Sequence, residues 1–207
     1  TECVESYQRD VGISHVDVLP FAVQPKLFNP QGILAAKNSV NFAGTWYARY
    51  KDRCQSAASI MDQVLDANLD LEIYDRMYSS PDDSYRYPEK YRKFTKPAIP
   101  YTHLPRAYKE SKYGITLNTV KDSKTMFARR VFELAASGSV VLSNYAVGVD
   151  EYFGDSVLYP DRDYGVLQEL NDEQYRDLQQ RSMDVALNNT YAHRAEQILN
   201  TLKVDYR

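Results

Sequence analysis

A chain of 207 residues is enough for one large domain or two small ones. With 25 basic and 28 acidic residues its formal net charge is −3, so no overall field recruits nucleic acid or an anionic membrane. Two cysteines, Cys3 and Cys54, form no CxxC pair, and His15, His103 and His193 are scattered, which argues against a disulfide framework or a metal site.

Reduced thiols suit a cytoplasmic protein, with peripheral membrane association left open. No apolar stretch approaches the ~20 residues that span a bilayer. The first ten residues are polar and charged, which predicts no signal peptide. The chain opens on Thr1 rather than methionine, as a piece of a longer protein would. Eighteen tyrosines are many for this length. Their rings pack while their hydroxyls stay hydrogen-bonded, which serves a binding surface or plain half-buried packing equally well.

In chain order, 3–11 has weak helical character and 15–19 alternates like a short strand. Pro20, Pro25 and Pro30 then mark a linker or extended crossover. A strand over 39–44 ends at Gly44. The spacing of Ala57, Ile60, Met61, Val64 and Leu65 predicts a helix over 50–68. A strand over 69–74 follows, then a polar, tyrosine-rich surface excursion over 75–95. Further elements are a short strand over 98–100, a helix over 103–112 and a strand over 113–118. After a loop over 119–124 come a helix over 125–137, a buried strand over 140–142 and a loop over 144–148. A helical turn over 149–153, a last strand over 156–159, and closing helices over 171–188 and 191–202 complete the chain.

From residue 39 onward short apolar strands alternate with helices. That pattern predicts a Rossmann-like, doubly wound parallel sheet of about six strands. Ligands of such sheets bind beyond the carboxyl ends of the strands. The residues that follow each strand therefore matter most.

The helix over 125–137 is apolar except for three charges. Phe127, Val131, Leu134 and Ala135 share one face, and Arg130, Glu133 and Ser137 share another. Arg129 lies four residues before Glu133. An exposed ion pair worth a few tenths of a kcal/mol explains this pattern. So does a cleft in which arginine meets phosphate and glutamate accepts from a ribose diol. Gly44, Thr45 and Trp46 close the first strand, and Arg49 and Arg53 follow on the entering helix. Either arginine could reach a diphosphate, Arg49 more readily than Arg53. No GxGxxG or GxxxxGK[ST] is present, which weakens the dinucleotide, epimerase and P-loop readings. The post-strand loop with Asn144, Tyr145 and Gly148 exposes amides that could hold an anion or a sugar hydroxyl. No Ser/His/Asp or Cys/His set stands out.

At these residues the chain resembles the carboxyl-terminal lobe of GT-B-fold glycosyltransferases, group 1, of the spore-maturation CgeB type. The likeness is carried by Leu19-Pro20-Phe21-Ala22 with Phe28-Asn29-Pro30, by Asn41 to Trp46, and by Tyr108 to Asn118. Arg130 to Gly138 is the most specific piece, and Glu151-Tyr152-Phe153 follows. The likeness covers roughly residues 18 to 200.

The resemblance implies a lobe that binds a nucleotide diphosphate-sugar. Glu133 would hold the donor ribose. Arg130, with Arg129 beside it, and the Gly44 region would face the diphosphate. Residues 99–101, Tyr101 among them, would border the base. The 144–148 loop would approach the transferred sugar, and Asn118 would belong to the same nucleotide-sugar site. Many retaining relatives carry a second glutamate eight positions before the ribose one. Here that position is Thr125, which leaves the stereochemical outcome open and assigns no catalytic residue.

The resemblance further implies that residues 1–37 are the end of a preceding lobe and the interlobe linker. Residues 38–207 would be the donor lobe with its closing helices. The intact enzyme would transfer a sugar without metal or cofactor to a glycan, a cell-surface polymer such as a bacterial polysaccharide, or another acceptor. The acceptor would bind mainly through a first lobe, and the isolated fragment would be weakly active or inactive. The alternative is a non-catalytic lobe that binds glycan or protein through its tyrosines.

Overall fold

The computed structural model describes residues 3–33 and 37–202. The linker's residues 34–36 and residues 203–207 of the closing segment lie outside the described residues.

A short amphipathic helix, α1 (Val4–Val11), buries none of its residues. An extended arm follows and leads into β1 (Lys37–Phe42). Helix α2 (Lys51–Asp66) buries Ala57, Ile60, Met61 and Val64 against the sheet. It stops at Asn68, whose positive φ of 54° suits asparagine better than a branched residue. Strand β2 (Asp70–Asp75), short helix α3 (Glu89–Arg92) and edge strand β3 (Thr95–Pro97) come next. The second half runs α4 (Leu104–Glu110), β4 (Ser111–Thr116), α5 (Arg130–Ala136), β5 (Val140–Ser143) and α6 (Val147–Phe153). It ends with α7 (Val166–Glu169), α8 (Asp172–Leu187) and α9 (Tyr191–Thr201).

The sheet has five parallel strands in the order β3-β2-β1-β4-β5. The chain winds outward from β1 through β2 to β3, then crosses back to place β4 on the other side of β1. The switch point lies between β1 and β4, where doubly wound sheets bind ligands. β4 is buried nearly throughout, as a central parallel strand must be, and β5, though last in the order, is buried along its whole length, with the Leu142–Leu158 bridge on its outer side. One core packs α2 on the sheet through Val40, Phe42, Ile60, Met61 and Ile73. The other packs α5 and α6 through Phe132, Leu134, Val141 and Phe153.

The structure corrects several expectations. The expected sixth strand over 156–159 is reduced to one parallel bridge between Leu142 and Leu158, because a 3-10 turn, Gly154–Ser156, takes its first residue. The short strand lies at 95–97 rather than 98–100, since the register with β2 pairs Ile73 with Thr95. Residues 15–19 form no strand, and helix α6 begins at Val147, inside the expected loop. The helix over 125–137 is shorter and starts at Arg130. Before it, Ser123 Oγ accepts from the amides of Thr125 and Met126, and Asn118 Oδ1 accepts from the Ala128 amide. Side chains that capture backbone amides in this way compete with helix formation.

The arm over 20–31 is packed on the domain. The Val23 amide donates to the Asn189 carbonyl at 2.9 Å, and the Tyr191 amide donates to the Val23 carbonyl at 3.1 Å. The arm's Ala22, Val23 and Phe28 are fully buried.

Candidate active site at the carboxyl edge of the sheet

A cavity of about 360 Å³ opens at the carboxyl ends of β1 and β2. Gly44 and Thr45 line it from the end of β1, and Arg53 reaches in from α2. Tyr74 and Arg76 come from the end of β2, Ile99 and Tyr101 from the segment after β3, and Arg130 from the start of α5. The sheet topology is what brings these separate stretches together.

Three arginines, Arg53, Arg76 and Arg130, line this cavity, and Arg76 Nη2 donates to the Tyr47 hydroxyl at 2.6 Å. Arg53 Nη1 donates to the Thr45 carbonyl at 3.1 Å, and its guanidinium lies 5.5 Å from the Tyr47 ring centroid. Burial pulls the pKa of Arg53 down, and nearby Arg130 adds to that. Arginine stays protonated regardless, so Arg53 is a partly desolvated positive charge. Arg130 Nε is buried and has no hydrogen-bond partner among the described residues. The Tyr108 hydroxyl is buried beside it, and burial raises its pKa against the pull of the Arg130 guanidinium. The buried Asp75 carboxylate is already engaged, accepting from Thr45 Oγ1 at 2.7 Å and from the Met77 amide at 2.9 Å. The first of these bonds ties the loop after β1 to the end of β2, and the second shapes the turn after β2.

Glu133 sits behind the cavity wall, its side chain only 5% exposed. Its Oε1 accepts from the Tyr101 hydroxyl at 2.7 Å and lies 2.8 Å from Arg129 Nε. The Arg129 guanidinium also lies 5.5 Å from the Tyr101 ring centroid. Burial and the Glu133 hydrogen bond push the Tyr101 hydroxyl pKa up. Burial opposes the Arg129 charge, but Glu133 and Tyr101 outweigh it and raise its pKa. The cavity thus meets Glu133 through Tyr101.

The other expected site residues have other surroundings. Trp46 turns into the core, 5.5 Å from Tyr87 and 6.4 Å from Tyr91 by ring centroids. Arg49 stacks outside the cavity, 4.7 Å from the Tyr50 centroid. Gly44 is tight against the Phe42 ring, and its carbonyl accepts from the Tyr87 hydroxyl at 2.8 Å. Asn118 and Asn144 are buried and bond each other, Asn144 Oδ1 accepting from the Asn118 amide at 2.7 Å. The Tyr145 amide donates to Asp161, and Arg162 covers the Tyr145 ring. Gly148 packs against Lys124 and Phe127.

So Gly44, Thr45, Tyr101 and Arg130 share one cavity, Arg129 and Glu133 adjoin it, and the remaining six are not in its wall. Arg53 was ranked below Arg49 because helical spacing does not show which arginine is buried. Arg76 carries no motif, and Tyr108 opens the Tyr108-to-Asn118 piece of the likeness without a role of its own. Only the strand-end position of Arg76 marks it in the sequence.

Comparison with solved structures gives the same fold at low identity. Sucrose-phosphate synthase from Thermosynechococcus elongatus superposes with a TM-score of 0.65 at 14% identity, covering 98% of this chain and 56% of that one. The trehalose-6-phosphate synthase OtsA gives 0.58 at 11%, covering 92% and 51%. S. aureus TarM, solved with UDP, alpha-GlcNAc-glycerol and Fondaparinux, gives 0.57 at 13%, covering 95% and 42%. The chain thus spans about half the length of these GT-B enzymes. No curated protein sequence matches it. Residues 56–200 match the glycosyl transferase-like family, and the match covers most of the chain. The chain belongs to that family and is a glycosyltransferase-type domain with the α/β fold of a GT-B lobe.

Proposed function

We propose that this domain is the donor-binding, carboxyl-terminal lobe of a CgeB-like glycosyltransferase and that its cavity holds a nucleotide diphosphate-sugar. The observation that carries the reading is the pair Arg53 and Arg130, both in one cavity at the ligand edge of the sheet and neither in an ion pair with a carboxylate among the described residues. A diphosphate supplies the missing counter-charge. When the sugar leaves, negative charge grows on that diphosphate, and preoriented guanidinium donors stabilise it. In this account the arginines do the neutralising, and transfer needs no metal.

Ribose hydroxyls fit the Tyr101–Glu133 pair, with Tyr101 yielding to or relaying the contact. The base fits the wall made by Ile99 and Tyr101. The whole enzyme's acceptor would be supplied by a second lobe, to which the arm over 20–31 leads. UDP is bound by the structurally similar TarM and by the pneumococcal O-GlcNAc transferase GtfA, which gives UDP first place among donors to try.

A thermal-shift panel of UDP, GDP, ADP, CDP and TDP with their sugars tests the proposal. One nucleotide is expected to raise the melting temperature clearly above the others, since a ligand bound only by the folded state stabilises it by RT ln(1 + [L]/Kd). Thr125, in place of the second glutamate of many relatives, is the observation that favours a non-catalytic lobe. Absence of a shift with every nucleotide would favour that reading over the donor site.

A further inference from the structure

The arm that precedes the sheet reaches the candidate donor site through one side chain, Phe28. Its ring is fully buried. It meets Tyr101 edge-on at 5.5 Å between centroids and stacks on Tyr108 at 6.0 Å with the planes 25° apart. Both tyrosines lead to the charges of α5. The Tyr101 hydroxyl donates to Glu133, and the buried Tyr108 hydroxyl lies close enough to Arg130 to feel its charge.

Phe28 is held at both ends of its segment. Upstream, Val23 is bridged to Thr190, and Arg194 donates to the carbonyls of Pro20 and Phe21. Downstream, Lys109 Nζ donates to Asn29 Oδ1 at 3.3 Å and to the Gln31 carbonyl at 2.8 Å. Lys109 is the neighbour of Tyr108 on α4, so the strap and the second tyrosine are fixed to each other. The phenyl ring makes no polar contact of its own. It fills the space that keeps one tyrosine against the glutamate and the other against the arginine.

We infer that Phe28 is a positioning residue, and that the arm sets the geometry of the nucleotide site by wedging Tyr101 toward Glu133 and Tyr108 toward Arg130. The inference rests on the donor-site reading given above. Core side chains have discrete packings, so an arm that shifts, carrying Phe28 with it, would alter both tyrosine contacts together.

The test is nucleotide affinity by calorimetry, well below the melting temperature, for Phe28→Leu, Tyr101→Phe and the double variant. Val64→Ala, a fully buried change in the other core, serves as the stability control. Phe28→Leu is expected to weaken binding roughly three- to tenfold, in the range of changes that act without touching the ligand. Val64→Ala is expected to leave affinity unchanged at a similar loss of stability. The double variant is expected to lose less than the product of the single losses, because both act through the Tyr101 contact. Wild-type-like affinity in Phe28→Leu, or multiplicative losses in the double variant, would overturn the wedge while leaving the donor site standing. A wild-type protein that binds no nucleotide would overturn the donor reading on which the wedge rests.

Discussion

Arg53 shows how a site residue can escape a sequence reading. Arg49 lies in the turn before α2 and Arg53 in its first turn, and spacing cannot say which of them is drawn inward. The structure sends Arg53 to the Thr45 carbonyl and leaves Arg49 stacked on exposed Tyr50. Glu133 was legible as an acid on an apolar helix, but its partner Tyr101, 32 positions away, was legible only as a border of the base. If the Tyr101–Glu133 pair holds a ribose, Glu133→Ala removes a charge-assisted acceptor. Nucleotide affinity should then fall by about 1–3 kcal/mol, read by calorimetry. Unchanged affinity would remove Glu133 from the site.

At the scale of elements, periodicity found the long helix and four of the sheet's strands to within a residue or two. It failed where side chains overrule local preference. The stretch before α5 has helical spacing, yet Ser123 and Asn118 capture its amides and hold it as a loop. That loop then packs on α6 at Gly148. A methyl group at Gly148 would sit 2.6 Å from Phe127 Cδ1 and 2.8 Å from the Lys124 carbonyl oxygen, and the backbone oxygen cannot easily give way. Gly148→Ala should therefore cost about 1–3 kcal/mol of stability in denaturant unfolding, the usual cost of overpacking. A cost near zero would mean that the loop and α6 are less tightly joined than described. Asn118 and Asn144 explain another limit. Their place after strands marked them for a ligand, while their amides are spent joining the ends of β4 and β5.

The abundance of tyrosine becomes intelligible for the molecule as a whole. Tyr87, Tyr91 and Tyr108 are core residues, and Tyr87 and Tyr91 anchor their hydroxyls on the Gly44 carbonyl and on Asp62. Burial, with Glu72 for Tyr74 and Asp62 for Tyr91, lifts these two hydroxyls to about 12 from an ordinary 10.0. A raised pKa means that the folded state holds the proton more tightly. The associated stability is complete below pH 10 and is lost as pH rises from 10.0 toward about 12. Melting temperature should fall across that window while tyrosinate absorbance appears with unfolding. A flat melting temperature would show that the tyrosines ionise without cost. The parallel sheet and its ligand edge followed from the alternation of strands and helices, but the convergence of Arg53, Arg76, Tyr101 and Arg130 did not, because it depends on strand order. If Arg53 and Arg130 bind a donor diphosphate, nucleotide affinity depends on both guanidinium groups. Calorimetric titration of the best nucleotide from the panel into the wild-type domain and its Arg130→Gln variant tests this most directly. The account predicts binding to the wild type and a loss of about 1.5–3 kcal/mol in the variant; equal affinity in both, or no binding by the wild type, would contradict it.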